Sequence, residues 1–581
     1  MKKNYNLLLI LLINLIVVSS AYSATYYVNV LTGNNNNSSA SARNIDTPWQ
    51  TVQFAINNSA VADGDNIVVA SGIYSGFNLT KRLNIIGAWK GSNSAVNTVF
   101  NSIVTLSANG GSPTQRMVLK NLRVDVNTGD ALDMRASYVT LENVFATATT
   151  TLGIAGLRIN SANLTDLLIE SCNFNGSTYA GIYFPTFAGL NGFVMRNSTV
   201  NDNKYFGIVA FQNNNNPTII ENVDISHCAF MNNNPGNQTQ GHTIYFEKLR
   251  NSLFQNISVV MPQINSRIGI NINLLSRLDY SNIEIRNSRI SRTQRGSGIW
   301  IQARNDLFNS PAALDNVVLR GLAFDNCDTN IAFNRQVTNM VVDKCDLSTY
   351  LTYGLVNFTD QGGTINASNN KWKNGDVPDT TVISGGLMQN GSNILSLMPS
   401  TVGIFVGMGI VGAGIPPNTF VTGKSQFSIF MSNNATLDGF IANIGFAFNF
   451  AISTDLVRTS LNFINYVNPM PNSIVNQANV SFPDIASAIA GTAAGGTIWN
   501  IPKGLIPGTT NIDRDLTLIS PGSGFFDQNG SLTTFQNLTV TNATWTLGSD
   551  FAVSDNLTPN RVIIGTDNTL MVNGAITPGG T

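Results

Sequence analysis

The 581-residue sequence predicts an all-β fold, a right-handed parallel β-helix, in which successive coils of the chain stack on one another. Three observations support this prediction. A six-residue phrase, apolar–x–Asn–small–x–apolar, recurs at intervals of 22 to 34 residues, and periods of this length indicate solenoids. A second apolar phrase of the type Gly-Ile-x-x follows most copies. Only 11% of the residues are charged, which suits stacked coils, because rows of like charge would repel each other.

The six-residue phrase is predicted to form a corner between two strands. Its third position is Asn in five copies and Ser, His, Gly or Lys in the other four. Because Asn and Gly tolerate the left-handed backbone conformation that a sharp corner needs, we expect this residue to turn the chain in every coil. The nine copies begin at Leu119, Leu141, Ile169, Met195, Ile225, Phe254, Ile285, Leu319 and Val342, and a less regular tenth begins at Ala367.

The first residues are typical of an export signal. Lys2 and Lys3 precede an apolar stretch at 7–18, and Ala21 and Ser23 are small residues that fit cleavage after position 23. A helix that spans a bilayer needs about 20 apolar residues, so we predict a cleaved signal peptide at 1–23. The mature chain is then expected to be secreted or displayed at the cell surface by bacterial export, with no later membrane span.

Four further regions follow the signal peptide. Residues 24–380 are predicted to form a first β-helix, opened by a capping helix at 47–62 with Thr47 as its N-cap and Val52, Ala55 and Ile56 as its apolar stripe. A glycine-rich stretch at 383–451 suggests a small all-β module, the alternative being a flexible linker. Residues 452–471 are expected to be a linker. A second β-helix is predicted at 472–581 with a capping helix at 482–491, because the pattern of the first cap recurs there.

Four segments carry a resemblance to a known superfamily: "YYVNVLTG", "TPWQTVQFAI", "DGDNIVVASGIY" and "LNIIGA". Together they resemble the N-terminal cap of pectin-lyase-like, right-handed β-helix proteins, and the likeness covers about residues 25–375. It implies a fold more than a function, because that superfamily includes lyases, hydrolases, epimerases and non-catalytic surface proteins. The segment "VGMGIVGAGIPPNT" resembles a small all-β module of phage tail and bacterial surface proteins.

The four cysteines are expected to be free thiols, although an exported protein invites disulfides. Cys172, Cys228 and Cys345 all occupy the inward fourth position of the phrase. Cys172 and Cys228 are two coils apart, about 9.6 Å at 4.8 Å per coil, whereas a disulfide needs Cα atoms within about 7 Å. We therefore predict that these thiols, together with Ser198, point into one dry interior column.

The outward side chains of the second phrase provide candidate ligand-binding residues. Tyr183, Tyr245 and Trp300 follow the recurring Ile on alternate coils, so their rings are expected about 9.6 Å apart. Such a row suits a linear glycan, whose apolar faces stack on rings while its hydroxyls meet polar groups. The alternative is that side loops cover the rings. The polar residues that border the row are Asn273, Gln302, Arg304 and Glu247.

Catalytic motifs of the superfamily are absent or incomplete. No Asp-Asp pair occurs, and "NTGD" at 127–130 and "GHT" at 241–243 are partial matches to polygalacturonase segments. His242 and Glu247 are nevertheless candidates for a catalytic base and its partner in a glycosidic reaction, the alternative for His242 being an ordinary loop residue. No cofactor is expected; no calcium motif is present, and the sequence leaves calcium binding open as an alternative.

Two classes of function follow. The first is a non-catalytic, adhesin-like surface protein that binds polysaccharide or another surface glycan, and the missing motifs favour it. The second is a polysaccharide lyase or glycoside hydrolase acting on a linear glycan. A phage tail spike is disfavoured by the export signal. A net charge of -1 provides no electrostatic attraction for nucleic acid, and the sequence leaves the oligomeric state open.

Overall fold

The computed structural model describes residues 23–576 apart from short internal segments. The predicted signal peptide, except for Ser23, lies outside the described residues. No helix within the described part of the chain has the length and apolar character to cross a bilayer. The segments not described are 92–96, 150–153, 214, 237–239, 262–267, 277–278, 292–295, 306–311, 352, 360–363, 373–379, 384, 402–403, 405–408, 417–418, 442, 448–462, 468–473, 501–503, 521–532, 542, 560, 565–567, 569 and 574.

The first part of the chain is a parallel β-helix, as predicted, built from three parallel sheets, here named A, B and C. The strands of sheet A are Thr25–Val28, Asn66–Val69, Asn84–Ile86, Met117–Val126, Val139–Ala148, Leu164–Glu170, Leu190–Arg196, Ile220–Ser226, Arg250–Gln255, Asp279–Arg286, Ala313–Arg320, Val337–Asp343, Thr364–Ser368 and Phe463–Val467, with Gly72–Tyr74 and Thr98–Phe100 at its side. Those of sheet B are Asn78–Leu79, Val104–Leu106, Leu132–Met134, Ala155–Ile159, Ala180–Phe184, Phe206–Ala210, His242–Phe246, Ile268–Leu274, Ser297–Ala303, Thr329–Arg335 and Tyr353–Thr359. Those of sheet C are Ala229–Met231, Ser258–Val260, Arg289–Ser291 and Ala323–Asp325.

The predicted register is confirmed coil by coil. The first residues of all nine phrases are Cα partners of one another on adjacent strands of sheet A, from Leu119 through Leu141 to Val342. The third residue of each phrase has a positive φ, between 49° and 62° in the ten copies. The recurring Asn therefore turns the chain through the left-handed region, and Asn143 Nδ2 also donates to Asn121 Oδ1 of the preceding coil (2.8 Å).

A second left-handed column, which the sequence reasoning missed, lies three residues before eight of the nine phrases, the exception being the phrase at Leu119. Its φ values run from 50° to 83°, and its amides form a ladder along the outside, with Asn316 Nδ2 donating to Asn282 Oδ1 at 2.9 Å. The residue three before the phrase and the third residue of the phrase thus both turn the backbone through the left-handed region, which Asn tolerates. The members are Tyr138, Asp166, Gly192, Asn222, Asn251, Asn282, Asn316 and Asn339.

The interior column of thiols is also confirmed. Cys172, Ser198 and Cys228 are each at most 2% exposed, and Ser198 Oγ accepts from the backbone N–H of Cys172 at 2.9 Å. All four cysteines are free and buried. Burial raises the pKa of the Cys172 and Cys345 thiols to about 12, so they act as small apolar groups in the core rather than as nucleophiles.

Glycine recurs in the second phrase because a side chain at this position would not fit. A Cβ at Gly181 would lie 2.4 Å from Val200 Cγ1, and a Cβ at Gly298 would lie 2.8 Å from the Asn330 carbonyl oxygen. At these positions sheet B passes directly against the neighbouring corner and coil, so no side chain fits. The recurring Gly-Ile pattern is therefore a packing requirement of the narrow helix.

Both capping helices are present but shorter than predicted. The first, α1, spans Val52–Asn57, and its N-cap is Thr51 rather than Thr47, with Thr51 Oγ1 accepting from the Phe54 N–H at 3.3 Å. Trp49 instead forms a parallel bridge with Val28 of the first strand of sheet A. The second, α2, spans Ile485–Gly491 with Asp484 as its N-cap. The predicted apolar stripe of α1 is buried, and so are Ile485, Ala488 and Ile489 of α2.

The small module is an antiparallel β structure, and the chain then returns to the first β-helix. Phe463–Val467, predicted to be part of a linker, pairs in parallel with Thr364–Ser368 and adds a last strand to sheet A. This strand lies within the segment 452–471 that is predicted to be a linker, and it forms because the open sheet edge provides unsatisfied backbone groups. The strands of the module are Thr380–Ile383, Gly386–Met388, Ile394–Ser396, Gly409–Val411, Val421–Lys424, Ile429–Met431, Gly439–Ile441 and Ile444–Ala447.

The second β-helix contacts the corner column of the first. Trp499 Nε1 donates to Asn287 Oδ1 (3.2 Å), and the Trp499 ring lies 5.3 Å from Lys344 Nζ. His227 Nε2 lies 2.8 Å from Asn568 Oδ1. Two of the corner positions that depart from Asn thus meet this second unit. Its strands are Ile474–Asn476, Ser481–Phe482, Gly496–Asn500, Gly504–Ile512, Leu516–Ile519, Thr533–Val540, Thr544–Leu547, Phe551–Thr558, Arg561–Ile564 and Leu570–Val572.

Candidate functional site

The predicted outward row of sheet B has the expected register. Tyr183 pairs with Val209, Val209 with Tyr245, Tyr245 with Asn271, and Asn271 with Trp300. The three aromatic residues therefore lie on alternate coils of one face.

The row does not, however, form an open stacking surface. The Tyr245 ring is only 9% exposed, because His242 stacks on it at 5.2 Å and the Phe206 and Phe211 rings approach within 6.0 Å and 5.9 Å. The Tyr245 ring is therefore not an open stacking surface, and its role in glycan binding stays a prediction. Tyr183 and Trp300 remain half-buried.

Other outward residues of the same row are also covered. Val209, Ala332 and Val356 are each at most 1% exposed, although their side chains point away from the interior column. A second, smaller apolar cluster on this face includes Val209 and Tyr245 together with Phe206. The alternative stated above, that the outer face of sheet B is covered, therefore describes most of the row.

Three of the predicted polar residues, together with Tyr245, are joined in one chain of hydrogen bonds. Gln302 Nε2 donates to Asn273 Oδ1 (2.6 Å), and Asn273 Nδ2 donates to Tyr245 Oη (2.7 Å). Tyr245 Oη in turn donates to Glu247 Oε1 at 2.8 Å. Asn334, on the next coil, continues the chain through its donation to Gln302 Oε1 (3.2 Å). The sequence therefore identified residues that lie close together, and their polar groups form hydrogen bonds with one another.

Glu247 is a half-buried anchor for a loop. Its Oε2 accepts from the backbone N–H of Gln212 at 2.7 Å. Burial raises the pKa of the Glu247 carboxyl, while the Gln212 and Tyr245 hydrogen bonds and the charges of Lys248 and Arg304 lower it. His242 lies at the other side of Tyr245, against its ring, with its Nε2 3.1 Å from Asn271 Nδ2. The proposed catalytic roles of His242 and Glu247 remain predictions.

The loop that Glu247 holds forms one wall of a groove. This groove, of about 430 Å³, lies where the chain passes from sheet B to sheet A, and it crosses four consecutive coils. It is lined by Ala162, Asn163, Leu164, Thr165, Gly189, Leu190, Asn191, Asn216, Pro217, Thr218, Ile219, Glu221 and Arg250.

One charged pair occupies the groove lining. Arg250 donates through Nε (2.9 Å) and Nη2 (2.6 Å) to Glu221 Oε2. Glu221 Oε1 accepts from Asn191 Nδ2 at 3.2 Å. The acid is 17% exposed and the base 36% exposed at their side chains, so the pair presents polar atoms to the groove without an excess of either charge.

Sequence reasoning missed this groove, although its register contained the signal. Thr165, Asn191, Glu221 and Arg250 are successive Cα partners in sheet A, and each lies four residues before the start of its phrase. The second signal is the run "NNNNP" at 213–217, which extends the loop of one coil. Polar residues at one register position on four adjacent coils indicate a built surface row.

The described residues contain no group of three or more acidic, His or Cys side chains arranged to hold a metal ion. The chain matches no protein-family model and no curated protein.

Among solved structures, the chain is similar to a tailspike protein, gp49 of the Acinetobacter baumannii bacteriophage Fri1, described as a capsular polysaccharide depolymerase. The identity is 10%, the TM-score is 0.32, and the match covers 68% of this chain and 82% of that chain. A GH136 lacto-N-biosidase from Eubacterium ramulus matches at 10% identity with a TM-score of 0.30, covering 60% and 67%. A tailspike of the E. coli bacteriophage HK620 matches at 10% identity with a TM-score of 0.29, covering 67% and 82%. TM-scores this low carry no argument, so the fold assignment rests on the strand pairing itself.

Proposed function

We propose that this protein is an exported, adhesin-like β-helix protein that binds a polysaccharide without cleaving it, and that the groove between sheets A and B is the binding site. The single observation that carries this proposal is the groove, whose volume of about 430 Å³ falls within the ~300–1,000 Å³ of small-molecule sites. Four stacked coils give it a length of about 14 Å at 4.8 Å per step, which suits a short stretch of glycan.

The lining has the chemistry that sugars require. Asn163, Asn191 and Asn216 offer carboxamides, which both donate and accept hydrogen bonds. Pro217 provides an apolar surface in the same wall, against which the C–H face of a sugar ring packs. Because the one carboxylate is matched by one guanidinium, the groove favours a neutral saccharide over an acidic one.

A lyase or hydrolase is the second candidate, and the groove favours it less. Glycoside hydrolysis uses two carboxyl groups on opposite sides of the scissile bond. Within the groove lining that the structure describes, Glu221 is the one acidic residue, and three hydrogen bonds from Arg250 and Asn191 hold it as an acceptor. A carboxylate so engaged is poorly suited to donate a proton.

A glycan array probed with the exported, full-length protein tests the proposal. The hits are then titrated by calorimetry against wild type and Arg250→Met, which removes the charged pair. We expect at least a tenfold loss of affinity in Arg250→Met. The matched control is Arg135→Met, because Arg135 also pairs with a carboxylate, Asp133, but lies just after the sheet B strand Leu132–Met134; the affinity of this variant should be unchanged.

Three results would contradict the proposal: no bound saccharide, equal affinity in wild type and Arg250→Met, or products with new chain ends by mass spectrometry. The last result would favour the enzyme. Trp300→Ala in the same titration tests the half-buried ring on sheet B, and a loss confined to that variant would move the site to the sheet B face.

A further inference from the structure

The side chain of Lys248 is completely buried, with 0% exposure. Its Nζ donates to the carbonyl oxygens of Pro185 (3.1 Å) and Thr186 (3.0 Å). It also donates to the carbonyl oxygen of Ala188 and to Thr218 Oγ1, at 2.8 Å for the hydroxyl. Four oxygen atoms from two different loops therefore surround one nitrogen, and one of its three N–H groups is shared between two of them.

This cage suits an ammonium group. An ammonium has three N–H donors and no acceptor, whereas a neutral amine has two donors and a lone pair that would face these oxygens. Burial lowers the pKa of Lys248 to about 7, and the neighbouring Glu247 carboxylate opposes that shift. A buried charge of this kind persists only where several partners compensate it, and the cage provides them.

The two loops that meet at Lys248 are also two walls of the groove. The turn at 185–188 leads directly into Gly189, Leu190 and Asn191, and Thr218 lies in the opposite wall. Thr218 Oγ1 donates to the Ala188 carbonyl oxygen at 2.8 Å, so the walls touch at the point where the ammonium sits.

The adjacent acid holds the same wall from its other end. Glu247 accepts from the Gln212 N–H, and Gln212 Nε2 donates to the Thr218 carbonyl oxygen at 2.9 Å. Gln212 Oε1 accepts from the Thr218 N–H at 3.1 Å. Neighbouring residues of opposite charge thus fix the start and the end of the loop at 212–218.

We propose that Lys248 is a positioning residue that joins the two walls of the groove and thereby sets its shape, with Glu247 fixing the far end of one wall. Lys248 itself does not line the groove, so it acts through Ala188 and Thr218. The effect on ligand affinity rests on the proposed function, whereas the effect on the loops does not.

Hydrogen exchange on the full-length protein separates these two claims. In Lys248→Met, which keeps the length of the side chain and removes the charge, the amides of Ala188 and Thr218 should exchange at least tenfold faster. Both are hydrogen-bonded within the turn and the loop. Exchange in distant coils, such as at Val104, should be unchanged. Lys204→Met is the matched control, because Lys204 is an exposed lysine on the adjacent coil, just before the sheet B strand Phe206–Ala210.

Chemical rescue distinguishes positioning from general loss of structure. Lys248→Ala leaves the four oxygens around an empty space, so ammonium chloride should restore slow exchange at Ala188 and Thr218. Tetramethylammonium chloride at the same ionic strength is too large for the cage and should not. The saccharide found by the array should regain affinity in parallel with the exchange protection.

Unchanged exchange at Ala188 and Thr218 in a folded Lys248→Met would overturn the positioning role, as would equal rescue by both salts. If the Lys248 variants do not fold, Thr218→Val removes one acceptor of the cage and the hydroxyl contact to Ala188. Faster exchange at Ala188 then supports the proposal, and unchanged exchange refutes it. A wild-type protein that binds no saccharide would remove the proposed function alone, since the exchange results still decide the role of Lys248.

Discussion

The left-handed corner at Asn143 makes a quantitative prediction about stability. Asn143 has φ 50°, and its Nδ2 donates to Asn121 Oδ1 (2.8 Å) and to the Trp89 carbonyl oxygen (3.2 Å). Asn143→Ala loses two hydrogen bonds of about 0.5–1.5 kcal/mol each and places Ala in a conformation that costs about 1–2 kcal/mol. The free energy of unfolding should therefore fall by about 2–5 kcal/mol.

Asn143→Gly separates the backbone contribution from the hydrogen bonds. Glycine loses the same two bonds but adopts positive φ without strain, so it should be more stable than the Ala variant, by about 1 kcal/mol after its greater freedom in the unfolded chain is included. Urea unfolding followed by far-ultraviolet circular dichroism measures the difference. At Thr140, in the strand before the same corner, the order should reverse, because Gly in a strand is less stable than Ala by about 0.5–1 kcal/mol. If Ala is the more stable variant at both positions, the corner explanation fails.

Three further predictions concern other parts of the fold. Gly298→Ala should lower the free energy of unfolding by about 1–3 kcal/mol, because a Cβ would lie 2.8 Å from the Asn330 carbonyl oxygen, whereas Gly409→Ala has open space and should be neutral in the same thermal melts. The four buried thiols should not react with Ellman's reagent at mildly alkaline pH in the native protein and should all react in denaturant; one reactive native thiol would contradict their burial. Trp499→Ala removes the contacts with Asn287 and Lys344 and should increase the radius of gyration in small-angle scattering, with unchanged β content; an unaltered radius would show that other contacts hold the second β-helix.

The register of the first β-helix could be derived from sequence because every coil contains the same corner between two strands. A corner needs a residue that accepts positive φ, and the flanking apolar residues must face one interior column. Both requirements are visible in each of the nine phrases, of which the first starts at Leu119 and the last at Val342. The first residue of the first capping helix was harder to predict from sequence. Thr47 and Thr51 are both acceptable N-caps by residue type, and the pairing of Trp49 beside the first strand decides between them.

The candidate site was only partly predictable. The repeat brings Asn273, Gln302, Tyr245 and Glu247 together, and the hydrogen bonds between them confirm that proximity. Their exposure was not predictable, since the rings that cover Tyr245 include Phe206 and Phe211 from a neighbouring coil and its loop. The same register also predicts that the groove residues Thr165, Asn191, Glu221 and Arg250 lie in one row. This row contains no aromatic residue that would have marked it as a binding site.

The sequence by itself determined the solenoid, its inward and outward faces and its free thiols, because these depend on backbone conformation and on the burial of short repeated segments. Only the tertiary structure decided which outward residues are accessible, where the two walls of the groove meet, and how Phe463–Val467 and the second β-helix lie against the first. Those features depend on contacts between irregular loops and distant segments, for which the repeat provides no rule.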